Sequence, residues 1–170
     1  MDLKQWIRDI PDYPKPGILF RDLTPLLAHP PAFRYVTDSL VERYRTGRFD
    51  AVAVIDARGF LFGSPVAYQL RLPLIPLRKA NKLPPETVSV EYALEYGHAR
   101  IEMKATALGP GQKVLIVDDL LATGGTAAAA AKLIRGRGAS VGAAAFVVEL
   151  SALDGRKLLP GIEISSLVTY

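Results

Sequence analysis

Residues Val114-Leu115-Ile116-Val117 form a run of apolar, mostly β-branched side chains that ends on two adjacent carboxylates, Asp118 and Asp119. Such a run, bounded by charge, reads as a central strand of a parallel sheet buried on both faces. Leu120-Leu121-Ala122-Thr123-Gly124-Gly125-Thr126 follows, and then the alanines 127 to 131, which have high helix propensity. Strand, small-residue turn and helix in that order place the turn at the carboxyl end of a strand, where open α/β sheets bind their ligands.

The residue types define what that turn can hold. Small side chains at Ala122, Gly124 and Gly125 let backbone amides approach an anion, and the helix start adds unpaired N–H groups and the positive end of its dipole. Thr123 and Thr126 add hydroxyl donors, so the turn suits a monophosphate. Asp118 and Asp119 repel that phosphate but accept hydrogen bonds from vicinal hydroxyls, which places a ribose between the acids and the turn. The competing reading is a solvated strand end with a helix cap, but packing alone does not call for two glycines at a helix start. Other nucleotide fingerprints are absent: no Gly-x-Gly-x-x-Gly follows a strand, and Gly109-Pro110-Gly111-Gln112-Lys113 lacks the spacing and the Ser/Thr of a Walker loop.

With 170 residues, 49% of them hydrophobic, the chain suits one compact domain. It contains no cysteine and only two histidines, His29 and His98, which leaves a hard cation bound through oxygen as the expected kind of metal. No apolar run approaches a membrane span and the first residues lack a signal-peptide core, so the expectation is a soluble, cytoplasmic protein with no membrane contact. The net charge of +4 is scattered rather than clustered, and a polyphosphate substrate accounts for it as well as nucleic acid does. No internal repeat is present, and the alanine run reads as a helix lying close on a sheet.

Hydrophobic spacing predicts a short helix over Leu3 to Ile10 and an extended course through the prolines of residues 11–17. It predicts an amphipathic helix through Phe33, Val36, Leu40, Val41 and Tyr44, ending near Gly47. A strand Ala51 to Ile55, a helix from Phe60 to Leu70 and a strand Leu74 to Leu77 follow. A charged, proline-containing loop then runs to about His98, bordered by a half-exposed strand through Ile101, Met103 and Ala105. After the helix that follows the acids come strands Val141 to Leu150 and Ile162 to Val168. This alternation implies an α/β fold with a doubly wound, mostly parallel sheet flanked by helices.

Asp56-Ala57-Arg58-Gly59 also follows a strand, so its turn belongs at the same edge, where Arg58 can reach a diphosphate; an ordinary turn is the alternative. Arg78, Lys79 and Lys82 follow a third strand and could neutralise a leaving diphosphate, or form a solvated loop. Glu95, in the segment Leu94-Glu95-Tyr96-Gly97, has the chemistry for proton transfer from a lid, although solvated loop glutamates are commoner.

The segment Asp118 to Thr126 resembles the phosphoribosyl diphosphate (PRPP) motif of type I phosphoribosyltransferases. Together with Pro16-Gly17-Ile18-Leu19-Phe20-Arg21-Asp22, Arg58-Gly59-Phe60-Leu61-Phe62-Gly63, Arg78-Lys79, Lys82-Leu83-Pro84 and Leu94-Glu95-Tyr96-Gly97, it resembles the adenine phosphoribosyltransferases over about residues 4 to 150. That resemblance implies transfer of a phosphoribosyl group from PRPP to adenine, giving AMP and diphosphate, with Mg2+, in a homodimer. It implies a single domain over residues 1–170, with an N-terminal hood over about 1–30 and a flexible lid loop over about 83–100.

Carried onto this chain, the resemblance gives Asp118 and Asp119 the ribose hydroxyls, with Mg2+ held mainly by substrate near them, and gives Ala122, Thr123, Gly124, Gly125 and Thr126 the 5′-phosphate. Asp56, Ala57, Arg58, Arg78, Lys79 and Lys82 take the diphosphate, through a strained cis peptide at Asp56–Ala57 and with basic residues shared between subunits. Leu19, Phe20 and Arg21 line the adenine pocket through backbone and apolar contacts, Glu95 is the general acid/base beside Tyr96 on the lid, and Arg58 joins it in catalysis. Two departures stand out. Ala57 replaces a usual serine, removing a hydroxyl contact, and Asn81 replaces a usual glycine, which the left-handed tolerance of asparagine accommodates. Relatives acting on hypoxanthine or guanine carry an acid where this chain has Ala122, which disfavours those bases and says less of xanthine. A PRPP-sensing regulator without turnover would need a DNA-binding helical module or a basic face, and the sequence offers neither.

Overall fold

A computed structural model of the chain describes residues 1–93 and 98–170. The N-terminal part forms a two-stranded antiparallel ribbon, β1 (Arg8–Ile10) and β2 (Phe20–Asp22), followed by helices α1 (Thr24–Ala28) and α2 (Pro30–Tyr44). Then come β3 (Ala51–Ile55), α3 (Gly59–Leu70), β4 (Leu74–Lys79), β5 (Thr87–Ala93), β6 (His98–Lys104) and β7 (Lys113–Leu121). Helix α4 (Gly125–Arg135) and strands β8 (Ser140–Glu149) and β9 (Glu163–Thr169) complete the order.

The main sheet runs β5-β6-β4-β3-β7-β8-β9. β4, β3, β7, β8 and β9 are parallel, and the β5–β6 pair adds to the β4 edge antiparallel. From β3 the chain winds outward to β4 through α3, then returns to the other side of β3 as β7 and continues to β8 and β9. The order therefore reverses between β3 and β7, which opens a crevice above their carboxyl ends. Both of the sequence's phosphate-like turns leave from those two ends.

Period-two alternation divides the core into two layers. Ala51, Ala53, Ile55, Val114, Ile116, Ala144 and Phe146 face α4, whose alanines allow close approach to the sheet. Val52, Val54, Leu115, Val117, Ala143 and Ala145 face the layer formed by α1, α2 and α3. All five residues of β3 are buried, as expected for a strand covered on both faces.

The structure corrects the sequence reading in two places. Residues 3–10 are not one helix: a 3-10 turn over Leu3–Trp6 leads into β1, whose Arg8 to Ile10 pair with Asp22 to Phe20. The long segment before His98 is not loop throughout, because Thr87 to Ala93 pair along β6 as a full strand. Val88, Val90 and Tyr92 pack against the α4-side core, a burial that outweighs the nearby prolines and charges. Among the described residues, no helix is long and apolar enough to cross a membrane.

Phe146 is fully buried on β8, whereas Tyr68 on α3 is 85% exposed. Phe146→Ala is expected to lower unfolding stability by about 3–5 kcal/mol and Tyr68→Ala to change it by about 0.5 kcal/mol or less, as measured by urea titration.

Candidate active site

The crevice holds a cavity of about 270 Å³. Its floor and one wall are the end of β7 and the turn into α4: Asp118, Asp119, Ala122, Thr123, Gly124, Gly125 and Thr126. Asp56, Ala57 and Arg58, leaving β3, form the facing wall, and Lys79 at the end of β4 closes a third side. Three strand ends that are far apart in sequence thus deliver acids, small-residue amides and cations to one space. The Asp56–Ala57 peptide is cis.

Asp118 and Asp119 lie within β7 rather than after it. The Asp118 Oδ1 atom accepts the backbone N–H of Asp119 at 2.9 Å. Gly59 opens α3 directly against this carboxylate: a Cβ there would stand 2.7 Å from Asp118 Oδ1, so only glycine lets the helix start so close. Asp119 is buried, and its Oδ2 lies 2.8 Å from Arg58 Nε without accepting an aligned hydrogen bond. Burial, followed by the neighbouring Asp119 charge, pushes the Asp118 carboxyl well above the usual carboxylate range. Burial raises Asp119 as well, against the opposing pull of the Arg58 guanidinium.

The two arginines of the site pair with its own acids, Arg58 with Asp119 and Arg78 with Asp56. Arg78 donates from Nε to Asp56 Oδ2 at 3.0 Å and from Nη1 to the Lys82 carbonyl at 3.1 Å, so it braces the turn that carries Lys82. Neither Arg78 nor Lys82 lines the cavity directly. Asn81 in that turn has φ +64°, the left-handed conformation that its side chain tolerates, and its N–H donates to the buried Glu102 at 3.2 Å.

A second cavity, of about 340 Å³, lies between the N-terminal ribbon and α3. Phe20, Tyr13, Ile10, Leu23 and Leu27 give it an apolar lining, and Arg58 and Asp119 belong to both cavities. Arg58 also sits over the Phe20 ring, 5.3 Å from its centroid. Leu19 and Arg21 do not line this space. Leu19 is exposed, and the Arg21 guanidinium turns away to pair with Asp9 and to stack 3.6 Å over the Tyr170 ring. Glu95 and Tyr96 fall outside the described residues.

Sequence reasoning missed Tyr92, whose hydroxyl accepts from Thr126 Oγ1 at 3.4 Å and which lines the first cavity from β5. Its signal was present in the period-two run Val88, Val90, Tyr92. Ile10, Tyr13, Leu23 and Leu27 were also missed, because the three-residue β1, the loop after it and the five-residue α1 are too short to show a periodicity.

The donors present fit a hard divalent cation. Asp119 Oδ2 is a buried oxygen without a hydrogen bond, and two adjacent carboxylates are the kind of ligand Mg2+ accepts alongside water and phosphate oxygens. The described residues contain no cluster of three or more metal-binding side chains, so the remaining ligands would be water or substrate oxygens.

The chain that places these acids, cations and small-residue turns around one cavity belongs to the family of the phosphoribosyl transferase domain, which it matches over residues 22–158. Within it, the chain belongs to the adenine phosphoribosyltransferases. It is 57% identical to the adenine phosphoribosyltransferase of Thermosynechococcus vestitus over 170 residues, covering 100% of both chains. The crystal structure of adenine phosphoribosyltransferase from Thermoanaerobacter pseudethanolicus superposes with a TM-score of 0.96 at 49% identity, over 99% of this chain and 98% of that one. The Saccharomyces cerevisiae enzyme, solved with an imino-altritol bisphosphate and adenine, is 37% identical with a TM-score of 0.91, over 98% of this chain and 96% of that one.

The raised Asp118 carboxyl carries a stability consequence. An unfolded aspartate ionises near pH 3.9; the folded state resists ionisation, so a destabilising contribution is absent below that pH, grows as pH rises and is complete above the folded pKa. Asp118→Asn, which keeps the acceptor for the Asp119 N–H, is expected to raise the ligand-free melting temperature at neutral pH. The gain should shrink as the pH is lowered toward about 4, and a melting series across that range measures it.

Proposed function

We propose that the protein transfers the phosphoribosyl group of PRPP to adenine, releasing AMP and diphosphate, as a purine-salvage enzyme. One observation carries this reading: Asp118, Asp119 and the Ala122 to Thr126 turn line a single cavity with Arg58 and Lys79, and that cavity adjoins an apolar one across Arg58 and Asp119. The first suits a phosphorylated sugar carrying a diphosphate, and the second suits a flat base. The relatives named for adenine, and the yeast enzyme solved with adenine, support the choice of base.

In the reaction, a ring nitrogen of the adenine imidazole bonds to the anomeric carbon as the bond to diphosphate breaks, and that electron pair leaves with the diphosphate. Positive charge builds on the sugar in between. Asp118 and Asp119 hold the ribose hydroxyls, while Ala122, Thr123, Gly124, Gly125 and Thr126 hold the 5′-phosphate through amides and hydroxyls. Arg58 releases Asp119 and, with Lys79, Lys82, Arg78 and the backbone of Asp56 and Ala57, stabilises the departing charge. Ala57 offers no hydroxyl there, so its contribution is limited to the main chain. Asp118 and Asp119 would be the residues to hold Mg2+ arriving with PRPP, an ion that would help neutralise the leaving diphosphate.

Phe20, on β2, contributes a ring face to the base, flanked in the chain by Leu19 and Arg21, which do not line that cavity. Glu95 takes the proton lost from the adenine imidazole ring, with Tyr96 beside it. The enzyme works as a homodimer in the cytoplasm, with basic residues of one subunit reaching the other's diphosphate. Nucleic acid and membrane play no part.

Incubation with PRPP, Mg2+ and a panel of nucleobases is expected to yield nucleotide with adenine; product formed only with a 6-oxopurine would overturn the base assignment. Glu95→Gln is expected to lower kcat by about 10²- to 10⁴-fold while PRPP still binds. An unchanged kcat removes Glu95 from the proton transfer.

A further inference from the structure

The turn proposed to hold the 5′-phosphate has a second backbone pressed against its outer side. A Cβ on Gly155 would fall on the carbonyl oxygen of Ala122 and stand 3.1 Å from the Gly124 nitrogen. Reciprocally, Gly124 has φ +83°, and a Cβ there would fall on the carbonyl of Gly155. The two main chains therefore meet with no side chain between them, and the position of Gly155 sets the position of the Ala122 to Thr126 amides.

Gly155 is fixed in turn by the residue that follows it. Arg156 makes a fork on the buried Glu149, with Nε to Oε1 and Nη2 to Oε2 both at 2.6 Å. Ser166 on β9 donates to Glu149 Oε2 at 2.6 Å, and Arg156 Nη1 reaches the carbonyl of Ile164 at 3.2 Å. The Arg156 guanidinium, then burial opposing it and the Ser166 hydroxyl, leave the Glu149 carboxyl below its ordinary range, so the fork is charged at neutral pH. Glu149 ends β8 and pairs in register with Leu121, the last residue of β7 before the turn. The clamp thus ties the carboxyl ends of β7 and β8 to the first half of β9 at one point behind the phosphate turn, and none of its side chains lines either cavity.

We propose that Arg156, held by Glu149 and Ser166, is a positioning residue that sets the amide geometry of the 5′-phosphate cradle through Gly155. This rests on the phosphoribosyl reading of the turn and adds to it a residue that never touches the ligand. Its signature is selective. Ligands carrying a 5′-phosphate depend on the clamp, and ligands without one do not.

The test compares AMP with adenosine by calorimetry on the wild type, Arg156→Met and Arg156→Lys. Lysine keeps the charge but cannot form the planar fork. Both variants are expected to bind AMP on the order of 10- to 100-fold more weakly, the scale of a displaced binding group, with adenosine affinity unchanged and the KM for PRPP raised in parallel. Unchanged AMP affinity, or an equal loss for adenosine, overturns the proposal. If neither arginine variant folds, Ser166→Ala decides: a loss of about threefold or more for AMP alone supports the clamp, and no loss overturns it. A wild type that fails to prefer AMP over adenosine removes the phosphate reading of the turn itself, whereas a preference that is undiminished in every variant removes only the clamp.

Discussion

Two adjacent carboxyls at the end of the central strand, Asp119 buried and Asp118 half-buried, are the constraint on which this site depends. β7 is covered on both faces up to Val117, and Asp118 and Asp119 continue it without leaving the sheet. Carboxyls in that position lose hydration, which disfavours their ionised form and marks them as candidates for function. Each acid in the crevice is matched to a different degree. Asp56 has Arg78 and Asp119 has Arg58, while Asp118 has only its neighbour's N–H and a more distant pull from Arg58. That ranking explains why the carboxyl of Asp118 is displaced further than that of Asp119.

The fold supplies what the pair lacks. Because the strand order reverses between β3 and β7, the turns after both strands open into the same crevice, and the cations of one face the acids of the other. The helices α3 and α4 begin on either side with glycines at their starts, so their amide ends come close without side chains intervening. The antiparallel β5–β6 extension then brings Tyr92 across to Thr126. A site made from the ends of separate strands is rigid where the sheet is rigid, which suits a reaction whose acceleration comes from fixed dipoles and charges.

Much of this was legible in the sequence, for identifiable reasons. The strands covered on both faces announced themselves as apolar runs, and β3 was read to the residue because charge and turn residues bound it. The acids and the glycine turn were legible because residue types and order together specify a chemistry. The N-terminal ribbon was not legible, since β1 and β2 have only three residues each and gain their stability by pairing with one another. β5 was hidden by Pro84, Pro85 and Glu86 just before it, although its inward residues alternate. The Glu149–Arg156 fork left no trace at all: an arginine seven residues after a glutamate is ordinary, and only the return of β8 beside β7 gives the pair its place.

The ligand-free arrangement also bears on how substrate enters. Arg58 is shared by the two cavities, pairs with Asp119 and sits over Phe20, so one side chain spans the boundary that the reacting bond must cross. On the proposed reading, Arg58 Nε, 2.8 Å from Asp119 Oδ2, competes with a ribose hydroxyl for that oxygen, and a diphosphate competes with Asp119 for Arg58. A substrate bearing both a diol and a diphosphate satisfies the two groups at once and exchanges one internal ion pair for two external contacts. A ligand with only one of those features that displaces the pair leaves either the buried Asp119 carboxylate or the half-exposed Arg58 without its partner, a cost that falls mainly on Asp119. On that reading, the internal pair therefore favours the complete donor over its fragments, through Arg58 and Asp119 themselves.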